Sequence, residues 1–204
     1  MECSCFGGRD MEALRQMILS QGKGIGSDIV KVDMFLNHRI DTGLLFAMGE
    51  AWAEEFRDEK PDLVLTVEAS GIAMAVAAAH ALGDLPVVFA KKSATAVLNN
   101  ETVQAPVYSF THKTHNTIRI ERRYLPAGSR VLIIDDFLAD GQAVHGLMSL
   151  CEQQKATVVG VGIAVEKGFQ PGGNQLREAG VHLKSLAIVD GIENGVIRLR
   201  PDDD

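Results

Sequence analysis

The pattern of apolar and polar positions along the chain alternates between short strands and helices. Mostly apolar stretches of strand length occur at residues 63–67, 87–90, 130–135, 157–165 and 181–189. Stretches with helical spacing lie between or beside them at residues 11–20, 42–57, 72–82, 142–155 and 171–179. Continuous apolar strands that alternate with helices predict an α/β domain with a mostly parallel sheet flanked by helices.

Two segments interrupt this alternation. Residues 103–110 and 116–123 have the alternating pattern of an antiparallel hairpin, which we interpret as an elaboration on the sheet. Residues 91–102 (KKSATAVLNNET) are small and polar without a hydrophobic period, which predicts a mobile loop. Near the N-terminus, three glycines at residues 22–26 are expected to end the first helix before a short strand at residues 28–32.

Composition limits the class of protein. A chain of 204 residues fits one domain, and we expect residues 1–10 to be a disordered extension and residues 11–204 to form that domain. The net charge of -7 argues against nucleic-acid and anionic-membrane partners. No apolar run approaches the ~20 residues of a transmembrane helix, and the N-terminus does not resemble a secretory signal. Three cysteines are typical of a reducing, cytoplasmic setting.

The stretch VLIIDDFLADGQA, residues 131–143, is the strongest candidate for chemistry. Asp135 and Asp136 are predicted to lie where the apolar strand ends, and ligands of open α/β sheets bind beyond the carboxyl ends of strands. Adjacent carboxylates on an extended backbone point to opposite sides, so they need different partners. The two vicinal hydroxyls of a ribose are suitable partners.

The loop that follows, Ala139–Ala143, leads into a predicted helix and presents successive backbone N–H groups at its N-terminus. Gly141 lets the backbone approach a ligand closely, and Gln142 can add a side-chain donor. A ribose 5-phosphate would satisfy both the loop and the acid pair. The alternative is an ordinary capped helix preceded by two solvated acids.

These residues resemble the binding motif for 5-phosphoribosyl 1-diphosphate (PRPP) in type I phosphoribosyltransferases. The segments TVEASGIAMAVAAA, PVVFAKK and VVGVGIAVEKGFQPGG follow the order and spacing of the bacterial branch that uses xanthine. The resemblance implies the type I phosphoribosyltransferase fold, with a small hood from about residues 11–40 plus C-terminal elements. It also implies a homodimer.

The resemblance assigns site residues position by position. Residues 139–143, which are Ala139, Asp140, Gly141, Gln142 and Ala143, match the segment that binds the 5-phosphate of PRPP. Lys167 matches a lysine that contacts the purine, and Val30 and Asn37 match two further base-contacting positions. The family usually has leucine where Val30 stands. Since Lys167 is a donor only, it favours an oxo group, while Val30 and Phe137 can pack on the base faces and Asn37 can pair with its edge.

The diphosphate has separate candidates. Backbone N–H groups of Glu68, Ala69 and Ser70, at a strand-to-helix junction, could hold its oxygens, and Lys91 and Lys92 could neutralise it. Closure of residues 91–102 would then exclude water. Mg²⁺ is expected to accompany PRPP with few direct protein ligands, and we predict no metal site built from the protein alone.

The implied reaction joins xanthine and PRPP to give xanthosine 5'-monophosphate (XMP) and diphosphate, a pentosyl transfer in purine salvage. The alternatives are preference for adenine or for hypoxanthine and guanine, and a PRPP-sensing transcriptional regulator of the same fold. No histidine has metal-binding spacing, and we expect His145 to face away from the loop. Asp140 departs from the usual asparagine, and because its charge would repel a phosphate, we expect its side chain to point away.

Overall fold

The computed structural model describes residues 11–92, 101–109 and 114–201. The predictions for residues 1–10 and for most of the loop 91–102 lie outside these ranges. The described helices are α1 (Glu12–Gln21), α2 (Thr42–Phe56), α3 (Gly71–Ala81), α4 (Gln142–Gln154) and α5 (Gly172–Glu178). The described strands are β1 (Lys23–Ile25), β2 (Ile29–Lys31), β3 (Leu63–Val67), β4 (Val87–Ala90), β5 (Thr102–Ser109), β6 (Thr114–Glu121), β7 (Arg130–Leu138), β8 (Thr157–Lys167), β9 (Leu183–Glu193) and β10 (Val196–Leu199). Within these ranges no helix has both the length and the apolar character needed to cross a membrane.

A six-stranded sheet in the order β10-β9-β8-β7-β3-β4 forms the centre of the described fold. The strands from β9 to β4 run parallel, and β10 pairs antiparallel with β9. β3 is buried at every position and β7 at nearly every position, as continuous apolar strands covered on both faces should be. The predicted α/β class with a mostly parallel sheet is therefore confirmed.

A hydrophobic cluster packs on each face of this sheet. One cluster joins Ile134 of β7 to α2 and α3, and the other joins Ile133 of β7 to α4 and the β5–β6 hairpin. The alanine-rich sequence of α3 serves a close approach to α2, since a Cβ on Gly49 would lie 2.6 Å from the backbone of Ala77. The antiparallel β5–β6 hairpin was predicted and is confirmed.

The hood, by which we mean residues 11–40, contains a strand that was not predicted. The glycines expected to end the first helix and break the pattern instead surround β1, which pairs antiparallel with β2. Gly24 is needed there because a Cβ would lie 2.2 Å from the side chain of Ile192, and its amide donates to the carbonyl of Gly195 at 3.1 Å. The hood is thereby attached to the β9–β10 edge of the sheet.

Candidate active site

The acid pair lies within β7 rather than after its end. β7 continues to Leu138, so the prediction that the strand ends at Asp135 is wrong. The physical reason is the neighbouring strand β8, which pairs with β7 as far as Leu138. Pairing with β3 on the other side stops at Ile133, so both acids still lie beyond the ladder on that side.

Both carboxylates are almost fully buried. Asp135 is 4% exposed and Asp136 is 9% exposed, and the amide of Asp136 donates to Oδ1 of Asp135 at 3.0 Å. Burial raises the pKa of Asp135 well above the ordinary value for an aspartate, and the neighbouring charge of Asp136 raises it further. Asp135 can therefore accept a proton at a pH where an exposed carboxylate would not.

The hood reaches the acid pair through Asn37. Its side-chain Nδ2 donates to Oδ2 of Asp136 at 3.0 Å. Val30 on β2 is buried, and half-buried Phe137 packs against the hydrophobic cluster to which Val30 belongs. The structure therefore brings Asn37 of the hood to Asp136, and it buries Val30 in the cluster on which Phe137 packs.

Lys167 is the last residue of β8 and also contacts the hood. Its Nζ donates to the carbonyl oxygen of Asp28 at 2.8 Å, a contact that the sequence did not indicate. Burial lowers the pKa of Lys167, while the nearby carboxylates of Asp28 and Asp140 oppose this shift. Because an ammonium group has three donors, this contact leaves two for a ligand.

Asp140, in the loop predicted to bind phosphate, is oriented differently from our expectation. Its Oδ1 accepts a hydrogen bond from the backbone N–H of Gln142 at 3.2 Å, so the side chain does not point away from the loop. A short carboxylate reaches the amide two residues along the chain easily. The other oxygen, Oδ2, is buried without a hydrogen-bond partner in the protein. The carboxylate thus accepts the hydrogen bond of a backbone N–H that we predicted to bind phosphate.

His145 also lies closer to the loop than predicted. Its ring atoms Cδ2 and Nε2 are each 3.3 Å from the position that a Cβ on Gly141 would take. The prediction that His145 faces away was wrong because helical side chains lean toward the N-terminus and cover the residue four positions earlier. Gly141 itself has φ +84°, the left-handed conformation that glycine tolerates before α4.

The segments predicted to bind diphosphate are joined to each other. Oε1 of Glu68 accepts a hydrogen bond from the amide of Lys92 at 2.6 Å, and the amide of Glu68 donates to the carbonyl of Ala90 at 3.0 Å. Ser70 directly precedes α3, and the Glu68–Ala69 peptide bond is cis. The charge of Lys92 also acts to lower the pKa of Asp135, against the larger effects of burial and of Asp136 that raise it.

Comparison with known proteins agrees with this arrangement. Residues 39–175 match the phosphoribosyl transferase domain family. The xanthine phosphoribosyltransferase of Bifidobacterium adolescentis is 48% identical over 192 residues, which cover 93% of this chain and 100% of the relative. That of Clostridioides difficile is 46% identical over 190 residues, with the same coverage of both chains.

Solved structures give the same fold. The adenine phosphoribosyltransferase of Rhodothermus marinus superposes with a TM-score of 0.69 at 24% identity, covering 88% of this chain and 98% of that one. At this identity the likeness concerns the fold alone. Taken with the domain match and the two relatives, it leads to one conclusion: the chain belongs to the phosphoribosyltransferase family.

Proposed function

We propose that the protein transfers the phosphoribosyl group of PRPP to N9 of xanthine, which yields XMP and diphosphate. The observation that carries this proposal is the position of Lys167, which ends β8 beside the acid-bearing end of β7 and contacts the hood. A side chain that only donates hydrogen bonds suits the oxo groups of xanthine and disfavours the amino group of adenine. The names of the two bacterial relatives support the same substrate.

PRPP would bind along β7 and the loop that follows. Asp135 and Asp136 would accept hydrogen bonds from the ribose hydroxyls, and the backbone N–H groups of the phosphate loop would hold the 5-phosphate. That loop consists of Ala139, Asp140, Gly141, Gln142 and Ala143. Since the Asp140 carboxylate accepts from Gln142 in the structure, it has to leave this amide when phosphate binds.

The diphosphate would lie between the Glu68–Ser70 backbone and the lysines Lys91 and Lys92. Both lysines are exposed at the start of residues 91–102, so their charges are available to a ligand. We expect Mg²⁺ to bind with PRPP and to neutralise part of its negative charge. The described residues contain no group of three or more metal-binding side chains. We expect PRPP, with its high negative charge, to supply most of the ligands of the cation. Asp135 and Asp136 offer the hard oxygen atoms that this cation accepts.

Xanthine would bind where the hood meets the sheet. Val30 and Phe137 would pack against the base, Asn37 would pair with its edge, and the two unused donors of Lys167 would face an oxo group. Asn37 holds Asp136 through a hydrogen bond, so binding of the base and binding of the ribose share one contact.

The reaction needs little covalent participation by the protein. The bond from ribose C1 to the diphosphate oxygen breaks, a bond from C1 to N9 forms, and positive charge develops on the ribose ring in between. The negative potential of Asp135 and Asp136 stabilises that charge. Asp135, with its raised pKa, is suited to accept the proton that the purine loses.

Steady-state rates with PRPP and four purines test this function. We expect xanthine to have the highest kcat/KM, ahead of guanine, hypoxanthine and adenine. A higher value for any of the other three would contradict the proposed specificity while keeping the family assignment. Absence of diphosphate release with all four purines would contradict the proposed activity.

We further propose that the protein acts in the cytoplasm as a homodimer. Exposed Phe46 on α2 and exposed Val76 on α3 form an apolar surface that suits contact with a second copy. Sedimentation equilibrium tests the dimer, and we expect Phe46→Glu to shift the protein toward the monomer.

A further inference from the structure

An ion pair between Glu166 and Arg177 lies beside the site but has no role in the reaction described above. Glu166 is 2% exposed, and the guanidinium of Arg177 donates to both of its oxygens, from Nη1 at 2.8 Å and from Nη2 at 2.7 Å. The hydroxyl of Ser185 donates to Oε2 as well. This forked geometry fixes orientation as well as charge.

Glu166 links Lys167, which is assigned to the base, with the strand that leads into the loop assigned to the 5-phosphate. It immediately precedes Lys167 on β8, and its ladder partner on β7 is Leu138, the residue before the phosphate loop. A shift of Glu166 along β8 would therefore move Lys167 and would also change the strand that leads into the loop.

The helix that carries Arg177 touches the same loop. Gly172, the first residue of α5, donates its amide to the carbonyl of Ala139 at 3.1 Å, and a Cβ on it would lie 2.6 Å from the amide nitrogen of Gly141. A Cβ on the next residue, Gly173, would lie 2.0 Å from Oε1 of Glu166. The two glycines thus allow α5 to pack closely against both the loop and the ion pair.

We propose that Arg177 is a positioning residue that sets the distance between Lys167 and the phosphate loop. Its fork holds α5 against Glu166 on β8, and α5 in turn supports the loop at Gly172. Without the guanidinium, the buried carboxylate would keep Ser185 as its partner and would move toward water, displacing its strand neighbours. This inference rests on the proposed function, because it assigns the base to Lys167 and the 5-phosphate to the loop.

Kinetics of Arg177→Met and Arg177→Lys test the inference. We expect the methionine variant to raise KM for xanthine and KM for PRPP together by about tenfold, because small misplacements of binding groups are costly. The lysine variant keeps the charge but loses the fork, so it should recover part of both values. Arg198→Met is the matched control, because Arg198 pairs with Glu193 at 3.0 Å on the surface, and both KM values should stay unchanged.

Calorimetric titration with PRPP separates positioning from loss of folded protein. A purely structural role would lower the active fraction, and hence kcat, at unchanged KM, and that result would overturn the proposal. So would an effect on one substrate alone. Where Arg177→Met fails to fold, Arg177→Lys and Glu166→Gln provide the same readout. If the wild type does not use xanthine, the proposed function fails, whereas weaker PRPP binding in Arg177→Lys still supports the effect on the loop.

Discussion

The proposed site has two parts, the loop assigned to the 5-phosphate and the contacts between hood and sheet assigned to the base, which we call the phosphate side and the base side. The residues of the two parts lie at very different separations along the chain. The loop predicted to bind phosphate is one run of residues, 139–143, which follows β7 and includes the first two residues of α4. The base side joins the hood to the sheet: Asn37 contacts Asp136 across 99 residues, and Lys167 contacts Asp28 across 139. The loop therefore depends on local backbone geometry, whereas the base side depends on the docking of the hood.

Because of this difference, we expect that binding of the two substrates can be perturbed separately. Changes in the loop should affect PRPP binding, and changes at the contacts between hood and sheet should affect xanthine binding. The acid pair belongs to both sides, because Asp136 is on β7 next to the loop and is also hydrogen-bonded to Asn37.

The largest effect is expected where the two sides meet. The double variant Asp135→Asn, Asp136→Asn removes the negative charge proposed to lie next to the ribose. We expect its kcat/KM to fall by about 10³-fold. XMP formation followed by absorbance measures the loss. Asp84→Asn, on the surface beyond α3, is the control and should keep full activity. A fall of less than about tenfold would argue against any electrostatic role for the pair.

Lys167→Ala should weaken binding of xanthine and leave binding of PRPP nearly unchanged. The loss of a charge-assisted hydrogen bond of about 2 to 3 kcal/mol should raise KM for xanthine by about 30-fold or more. The dissociation constant for PRPP, measured by calorimetry, should change little. Lys184→Ala, an exposed lysine paired with Glu55, is the control. Equal losses of affinity for both substrates would contradict the assignment of Lys167 to the base.

Asp140→Asn should strengthen binding of PRPP. Asparagine can still accept from the amide of Gln142, but it removes the charge that competes with the 5-phosphate. We expect PRPP to bind about tenfold more tightly in calorimetry, because a unit charge at a loop amide opposes the ligand directly. Unchanged affinity would show that the carboxylate leaves the loop at no cost when phosphate binds.

The same variant should alter the pH dependence of the base side. Burial lowers the pKa of Lys167, so binding that needs its charge is lost as pH rises through a value below that of an ordinary lysine. Since Asp140 acts to raise this pKa, Asp140→Asn should move the alkaline limb of kcat/KM for xanthine to lower pH. Comparing variant with wild type cancels the ionisation of xanthine itself. A shift to higher pH would contradict the coupling.

The smallest effect is expected from Val30→Leu. The side chain is apolar and buried in the hydrophobic cluster that joins β7 to α2 and α3. One added methylene should therefore change KM for xanthine by less than about threefold. PRPP affinity should be unchanged. An increase of tenfold or more would show that this position controls the volume available to the base.

The extent to which the sequence predicted this site follows from the same contrast. The loop at residues 139–143 was predictable because its strand, glycine and helix are consecutive in the chain. The contact between Lys167 and Asp28 was not, because a backbone carbonyl carries no side-chain signal. The Glu166–Arg177 pair was missed because it joins a strand to a helix across a turn. Its spacing along the chain follows neither the two-residue repeat of a strand nor the 3.6-residue repeat of a helix.

Errors in the fold have similar physical causes. The glycines around β1 were interpreted as breakers because nothing in the local sequence shows that Gly24 lies against Ile192. β7 was predicted to end at Asp135 because charged residues usually end buried strands, yet β8 supplies pairing partners for Phe137 and Leu138 beyond it. His145 was judged by its distance along the chain and not by the lean of helical side chains toward the N-terminus.

The attachment of the hood to the β9–β10 edge has a consequence for synthesis of the protein. The backbone contact between Gly24 and Gly195 and the packing of Ile197 with Leu14 and Ile18 require β10 to be present. A ribosome releases the hood long before it makes this strand. If the base binds at the hood as proposed, a nascent chain cannot bind a purine before β10 has been made and has paired with β9.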